Sequence, residues 1–172
     1  MELWDVYDIN GKKSGKIINR DNEYTKEGEF HLASIICIVN ENGKLLIQKR
    51  SDNKKSDPCK WSFTGGAVVS GETSVSGAIR EIYEELNIII QPSELIKIGT
   101  YIEKNAIFDA FITFISDKNS EIKIQKEEVS EYKWVDINIL NKCLLDGEIA
   151  HNAVKAITLS VNYLSTKQRP ED

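Results

Sequence analysis

The run Gly66–Ile88, GAVVSGETSVSGAIREIYEELNI, constrains this chain more than any other segment. It sets Glu72, then Arg80 and Glu81, then Glu84 and Glu85. On a helix, Glu81, Glu84 and Glu85 occupy i, i+3 and i+4 and project from one side. Val75, Ala78, Ile79, Ile82 and Leu86 fall on another stripe at the same period and give the helix a face to bury. Thr73 or Ser70 can cap its start. Asn87 suits a left-handed residue at its end, and Pro92 lies just beyond as a further stop. Gly77, one turn before Glu81, costs the helix about 1 kcal/mol relative to alanine, so it is expected to keep room for a ligand on the acidic side. Crowded carboxylates repel, and no neighbour in sequence neutralises all of them. A hard divalent cation would do so, and a cation held this way is suited to meet phosphate. A glutamate-rich helix is ordinarily a solvated face, but four acids at this spacing behind Gly65, Gly66 and Gly71 are poorly explained as one.

The segment resembles the signature of the Nudix hydrolases. That signature runs glycine, five residues, glutamate, seven residues, Arg-Glu, an aliphatic residue, any residue, Glu-Glu, any residue, glycine, aliphatic. Here it is met by Gly66, Glu72, Arg80, Glu81, Ile82, Glu84, Glu85 and Ile88, with Asn87 in place of the late glycine. The approach Trp61-Ser62-Phe63-Thr64-Gly65-Gly66 is also similar, with Thr64 where many members have proline. The resemblance implies an α/β fold, a Nudix-like α/β/α sandwich in which a mixed β-sheet lies between helices and residues 66–88 form loop–helix–loop at one end. It implies hydrolysis of a diphosphate linked to a nucleoside or other organic group, with Mg²⁺ or Mn²⁺ as cofactor and a small molecule as partner. Glu81 and Glu85 would hold the main cation, Glu84 would help bridge a second, and the Gly65 carbonyl would complete the shell. Arg80 would pair with Glu72, orienting the box and keeping Glu72 ionised.

Members often carry a glutamate directly before a valine late in the chain. Glu128, ahead of Val129, is therefore the candidate general base, with Glu127 and Glu131 behind it. Arg50, at the end of a strand, and Gly66 are the candidate substrate contacts. Lys49 and Lys60 are weaker ones, and all three cations suit a solvated surface equally well. Trp61 could stack on a base or line the core; Phe63 is assigned to the core.

A second resemblance concerns Leu3-Trp4-Asp5-Val6-Tyr7-Asp8, His31-Leu32 and Leu46-Ile47-Gln48-Lys49-Arg50, which look like the branch related to isopentenyl-diphosphate isomerase. That isomerase uses a cysteine in a Cys-Gly-His run after the tryptophan, where this chain has Thr64-Gly65-Gly66-Ala67. His31 matches a metal-binding histidine of the isomerase without its companion, and the structural reading of it is preferred. Hydrolysis is therefore favoured over isomerisation, and the intact box over a non-catalytic nucleotide-binding module.

Elsewhere the chain reads as one domain over residues 1–172, with 1–30 as an N-terminal strand extension. Strands are expected at Leu3–Tyr7, Leu32–Val39, Lys44–Arg50, Leu95–Glu103, Ala106–Ser116 and Lys133–Val135, with turns at Asn10-Gly11 and Asn42-Gly43. From Ile137 the pattern turns helical, and residues 147–166 are expected as a terminal helix bearing Ile149, Ala153, Ile157, Val161 and Leu164. A net charge of −5 argues against a nucleic-acid surface. No stretch is apolar enough to span a membrane, and the N-terminus lacks signal-peptide character. Three unpatterned cysteines point to a reduced, cytoplasmic setting. The amino-terminal strand would allow strand exchange in a homodimer.

Overall fold

The computed structural model describes residues 2–21, 25–116 and 121–167. Its centre is a seven-stranded mixed sheet. The strands are β3 (His31–Asn40), β4 (Leu45–Arg50), β5 (Trp61–Ser62), β6 (Thr64–Ala67), β7 (Ile96–Glu103), β8 (Ala106–Ile115) and β9 (Val129–Val135). The main order is β5-β4-β3-β8-β7, with β6 added to β3 and β9 to β4. Among the described strands only β3 and β8 pair in parallel, from His31 against Ala106 to Asn40 against Ile115. β3 and β8 are apolar almost throughout because both of their faces are covered. Alternate residues of β3 serve opposite layers. Ala33, Ile35, Cys37 and Val39 join a core beneath α2 (Ile137–Leu145) and α3 (His151–Lys167), while Ile36 and Ile38 face α1 (Ser74–Leu86). Helices on both faces of one mixed sheet make the α/β sandwich that the sequence implies.

α1 is built as its sequence requires. Thr73 caps it, accepting from the Ser76 N–H at 3.1 Å, and Ser76 returns a bond to the Thr73 N–H. Asn87 ends it in the left-handed region at φ 57°, a conformation asparagine tolerates. Ala78, Ile82 and Leu86 are fully buried against Ile36, Ile38 and Phe111. Gly77 departs from expectation. A methyl group there would meet Val68 at 3.2 Å and Glu72 at 3.4 Å, so the missing side chain makes room for the loop ahead of the helix, not for a ligand.

Several elements differ from the sequence reading. β1 (Leu3–Tyr7) pairs antiparallel with β2 (Lys13–Asn19), a polar strand without an alternating signal. β5 and β6 are too short to read by period. β9 begins at Val129, so Ser130 and Glu131 lie in the sheet and not in a loop. Ile149 precedes α3 and makes a parallel bridge to Trp61. Trp61 and Phe63 are both buried in the core, and the Nζ of Lys133 sits 3.9 Å from the centroid of the Trp61 ring.

The β1–β2 hairpin is pinned to the sheet. Tyr7 and Phe30 pack on Ile107, and Trp4 stacks on His31 with ring centroids 4.2 Å apart. Burial depresses the His31 pKa to about 4. The unfolded chain takes up a proton near the ordinary histidine value of ~6.5, whereas the folded chain resists it until about pH 4. Stability from this group is complete above the unfolded value and declines as pH falls between the two. About 2 kcal/mol should be lost between pH 7 and pH 5. Urea unfolding at both pH values should show this loss in the natural chain and its absence in His31→Phe, which keeps a stackable ring.

Candidate active site

α1 enters through β6 and the turn Val69–Gly71, and both are fastened to it by one side chain. Arg80 forks onto Glu72, Nε to Oε1 at 2.9 Å and Nη2 to Oε2 at 3.0 Å. Nη2 also donates to the Ala67 carbonyl at 2.9 Å, and Nη1 to Glu81 at 2.7 Å and Glu84 at 3.1 Å. A guanidinium has five N–H donors, and these five contacts engage them all. In the sequence Arg80 is paired with Glu72 alone, and the remaining acids have no cation of their own. In the folded chain the same arginine serves three of the four. Glu72 in turn accepts from the Val69 N–H at 3.0 Å. Arg80 holds the Glu72 carboxyl below its usual range, against some desolvation, and Glu72 holds the Arg80 charge more firmly in place.

The acid that Arg80 does not reach is Glu85. Its side chain lies at the sheet-facing edge of α1, not on an exposed acidic face, and is only 5% exposed. Oε2 accepts from the Gln48 amide at 2.7 Å and from the Gly65 N–H at 3.4 Å. Burial, and then repulsion from Glu81, push its pKa up to about 8. Burial raises the Glu81 pKa too, with Arg80 opposing the shift. Gly66 abuts Glu81, since a methyl group at Gly66 would lie 2.3 Å from a carboxylate oxygen. A methyl group at Gly65 would lie 2.2 Å from the Ser34 carbonyl on β3. Glycine is therefore required at Gly65 by the backbone of β3, while a side chain at Gly66 would displace the Glu81 carboxylate.

Glu84 shares the Nη1 of Arg80 with Glu81 but is more exposed than the other two. Its side chain is half exposed and turned to Arg80. Among the described residues, no three His, Cys, Asp or Glu side chains converge as a ready-made cage for a metal ion. What stands ready is a pair of mutually repelling carboxylates, Glu85 buried and Glu81 partly so, against the glycine turn. That donor set is all hard oxygen, and it fits Mg²⁺, which binds through one or two carboxylates and keeps several waters.

Cations face the acids from the end of β4 and the loop that follows it. Arg50, at the end of β4, donates through Nε and Nη2 to the Ser56 carbonyl at 3.1 and 2.9 Å. Its charge is felt by Glu85, Asp57 and Glu128. Glu128 directly precedes β9 and is ion-paired with Lys54, whose charge also reaches Glu85. Glu131, one of the weaker candidates for base, lies opposite Lys49 on β4. A small cavity of about 30 Å³ sits at the glycine turn, lined by residues including Arg50, Gly65, Gly66, Phe108 and Asn152. A larger depression of about 840 Å³ lies toward the other end of β3, between Val39, Phe114 and Tyr163, and contains none of Glu72, Glu81, Glu84 and Glu85. Gln48 and Lys54 escaped the sequence reading. Gln48 looks like one more residue of a strand, and Lys54 like one of several loop lysines.

Comparison with known proteins places this arrangement. Residues 29–156 match the NUDIX domain. A Nudix hydrolase of Listeria monocytogenes is 37% identical over 151 residues, covering 86% of this chain and 88% of its own. A crystal structure from Deinococcus radiodurans superposes with a TM-score of 0.72 at 23% identity, over 87% of this chain and 92% of that one. A bifunctional NMN adenylyltransferase/ADP-ribose pyrophosphatase of Francisella tularensis, complexed with AMP and a manganese ion, shares the fold. Its TM-score is 0.63 at 18% identity, over 83% of this chain and 43% of that one. The chain belongs to the Nudix hydrolase family, enzymes that hydrolyse phosphoric anhydrides. Among the described residues, no helix is long and apolar enough to cross a membrane.

Proposed function

We propose that this chain is a metal-dependent pyrophosphohydrolase, cleaving a diphosphate linked to a nucleoside or other organic group by attack of water on phosphorus. The observation that carries this reading is the Glu81–Glu85 pair, one carboxylate buried and one partly so, set against the Gly65-Gly66 turn and faced by Arg50 and Lys54. Glu81, Glu85 and the Gly65 carbonyl would hold Mg²⁺ or Mn²⁺, and Glu84 stands at the rim where a second ion would be shared. Bound there, the cation supplies neutralisation of the diphosphate oxygens and acidification of a water. Arg50 and Lys54 draw the phosphates in, and the Gly66 backbone lets them approach because no side chain intervenes. Glu72 and Arg80 keep the turn and helix in register. Glu128 accepts the proton of the attacking water, and its partner Lys54 orients the carboxylate. A manganese ion in a protein of the same fold agrees with this reading.

A panel of nucleoside diphosphate derivatives, dinucleoside compounds and coenzymes, assayed with Mg²⁺ or Mn²⁺, tests the proposal. Phosphate or nucleotide release that stops on chelation is expected. Failure to cleave any member with either ion, together with failure to bind Mn²⁺, removes it. We place the chain with the family's hydrolases and not its isomerases, so isopentenyl diphosphate should take up no deuterium from heavy water. The three cysteines are unpaired, in keeping with a reducing cytoplasm.

Glu128→Gln should lower kcat roughly 10²-fold and remove the acidic limb of the pH–rate profile. Near-normal kcat across the pH range would assign the base elsewhere.

A further inference from the structure

Gln48 is an amide on a strand whose other inward positions are apolar. It lies on the same face of β4 as Leu46, which packs under α1, and is 4% exposed. A buried amide is unfavourable unless its hydrogen bonds are made, and here both ends are engaged. Thr64, fully buried on β6, donates its hydroxyl to Gln48 Oε1 at 3.0 Å. Gln48 Nε2 donates to Glu85 Oε2 at 2.7 Å. The order of these groups fixes their direction. As a ligand to a cation Glu85 is ionised and only accepts, whereas a hydroxyl can donate. With Thr64 giving its proton to Oε1, the amide must present Nε2 to Glu85; the flipped amide would set two acceptors against each other. The Gly65 N–H, at 3.4 Å, falls on that same Oε2. The protein's donors thus gather on one oxygen of Glu85.

We propose that Gln48, oriented by Thr64, is a positioning residue that holds Glu85 by Oε2 and so presents Oε1 to the cation. The inference rests on Glu85 being a metal ligand, as proposed above. The three residues come from β4, β6 and α1, so the relay also fixes the helix against the glycine turn at the metal site.

Mn²⁺ affinity, measured by electron paramagnetic resonance of the free ion, tests this without reference to turnover. Gln48→Met keeps the bulk and removes the donor. It should weaken Mn²⁺ binding about 10- to 100-fold, while kcat at saturating Mn²⁺ recovers to within about threefold of the natural chain. A merely structural lesion would instead depress kcat at every metal concentration. Thr64→Val should weaken binding by roughly three- to tenfold, and Thr64→Ser, which restores the hydroxyl, should return it to within about twofold. Gln48→Met with natural Mn²⁺ affinity overturns the proposal. If that variant does not fold, equal affinities for Thr64→Val and Thr64→Ser overturn it instead. Glu85→Gln separates the two levels. Loss of Mn²⁺ binding there, with no change in the Gln48 and Thr64 variants, defeats only the relay. Undiminished binding in Glu85→Gln removes the metal assignment and the relay with it.

Discussion

Glu85→Gln should abolish measurable turnover while leaving a folded protein that, without metal, is more stable than the natural chain. Both halves follow from the burial of Glu85 beside Glu81. A cation at such a site supplies several kcal/mol of charge stabilisation in the transition state, and each ~1.4 kcal/mol is a factor of ten in rate. Loss of one of two anchoring carboxylates should therefore cost roughly 10³-fold or more in kcat/KM. Stability moves the other way. The raised pKa of Glu85 means that its charge is disfavoured in the folded chain. Between the ordinary carboxylate range and about pH 8 the folded state binds more protons than the unfolded one, so metal-free stability falls as pH rises through that window. Glutamine carries no charge, and its oxygen can still accept from Gln48. Thermal melts in chelator at pH 8 should show a higher Tm for the variant, and added Mn²⁺ should reverse the ranking. Full activity in the variant would displace Glu85 from the metal site.

Arg80→Ala should be the most damaging change to the fold among the residues of the box. It deletes five hydrogen bonds and leaves Glu72, Glu81 and Glu84 facing one another without a cation. Removing one member of a buried ion pair costs about 3–5 kcal/mol. The Arg80 side chain is 26% exposed and its contact with Glu84 is solvated, a kind of pair worth little, so about 2 kcal/mol is the better expectation. For a chain of this size that corresponds to roughly 4–8 °C in Tm. Arg80→Lys should recover only part of the loss, because an ammonium has three donors and cannot fork onto Glu72. Activity should fall with both variants, since the turn carrying Gly65 and Gly66 loses its tether to the helix. A melting temperature unchanged in Arg80→Ala would mean that the network contributes nothing to stability.

Much of this architecture is visible in the sequence because its signals are local. The helix from Ser74 announces itself through a capping threonine, an apolar stripe and an asparagine stop. The long strands β3 and β8 announce themselves through apolar runs too short for a membrane and too β-branched for a helix. What escapes the sequence is set by distance along the chain. Arg80 looks like a partner for Glu72 alone, because only folding brings Ala67 and the carboxylates of Glu81 and Glu84 around one guanidinium. Glu84 and Glu85 are neighbours with the same chemistry, yet one turn of 100° sends the first to solvent and the second beneath the sheet. Gln48 shows no pattern of its own. Its meaning comes from Thr64, 16 residues away, and Glu85, 37 residues away.

The hairpin at the start of the chain lies ahead of residues 29–156, the stretch that matches the NUDIX domain, yet it grips the box itself. Asp5 accepts from the Ser70 hydroxyl at 2.8 Å and the Gly71 N–H at 3.2 Å, and the Leu3 carbonyl accepts from the Ser70 N–H at 2.7 Å. Cutting the protein back to the common domain would therefore spare every acid and still untie the bend that aims them. The bend that leads into the helix is thus held in part by a ribbon that the signature does not contain.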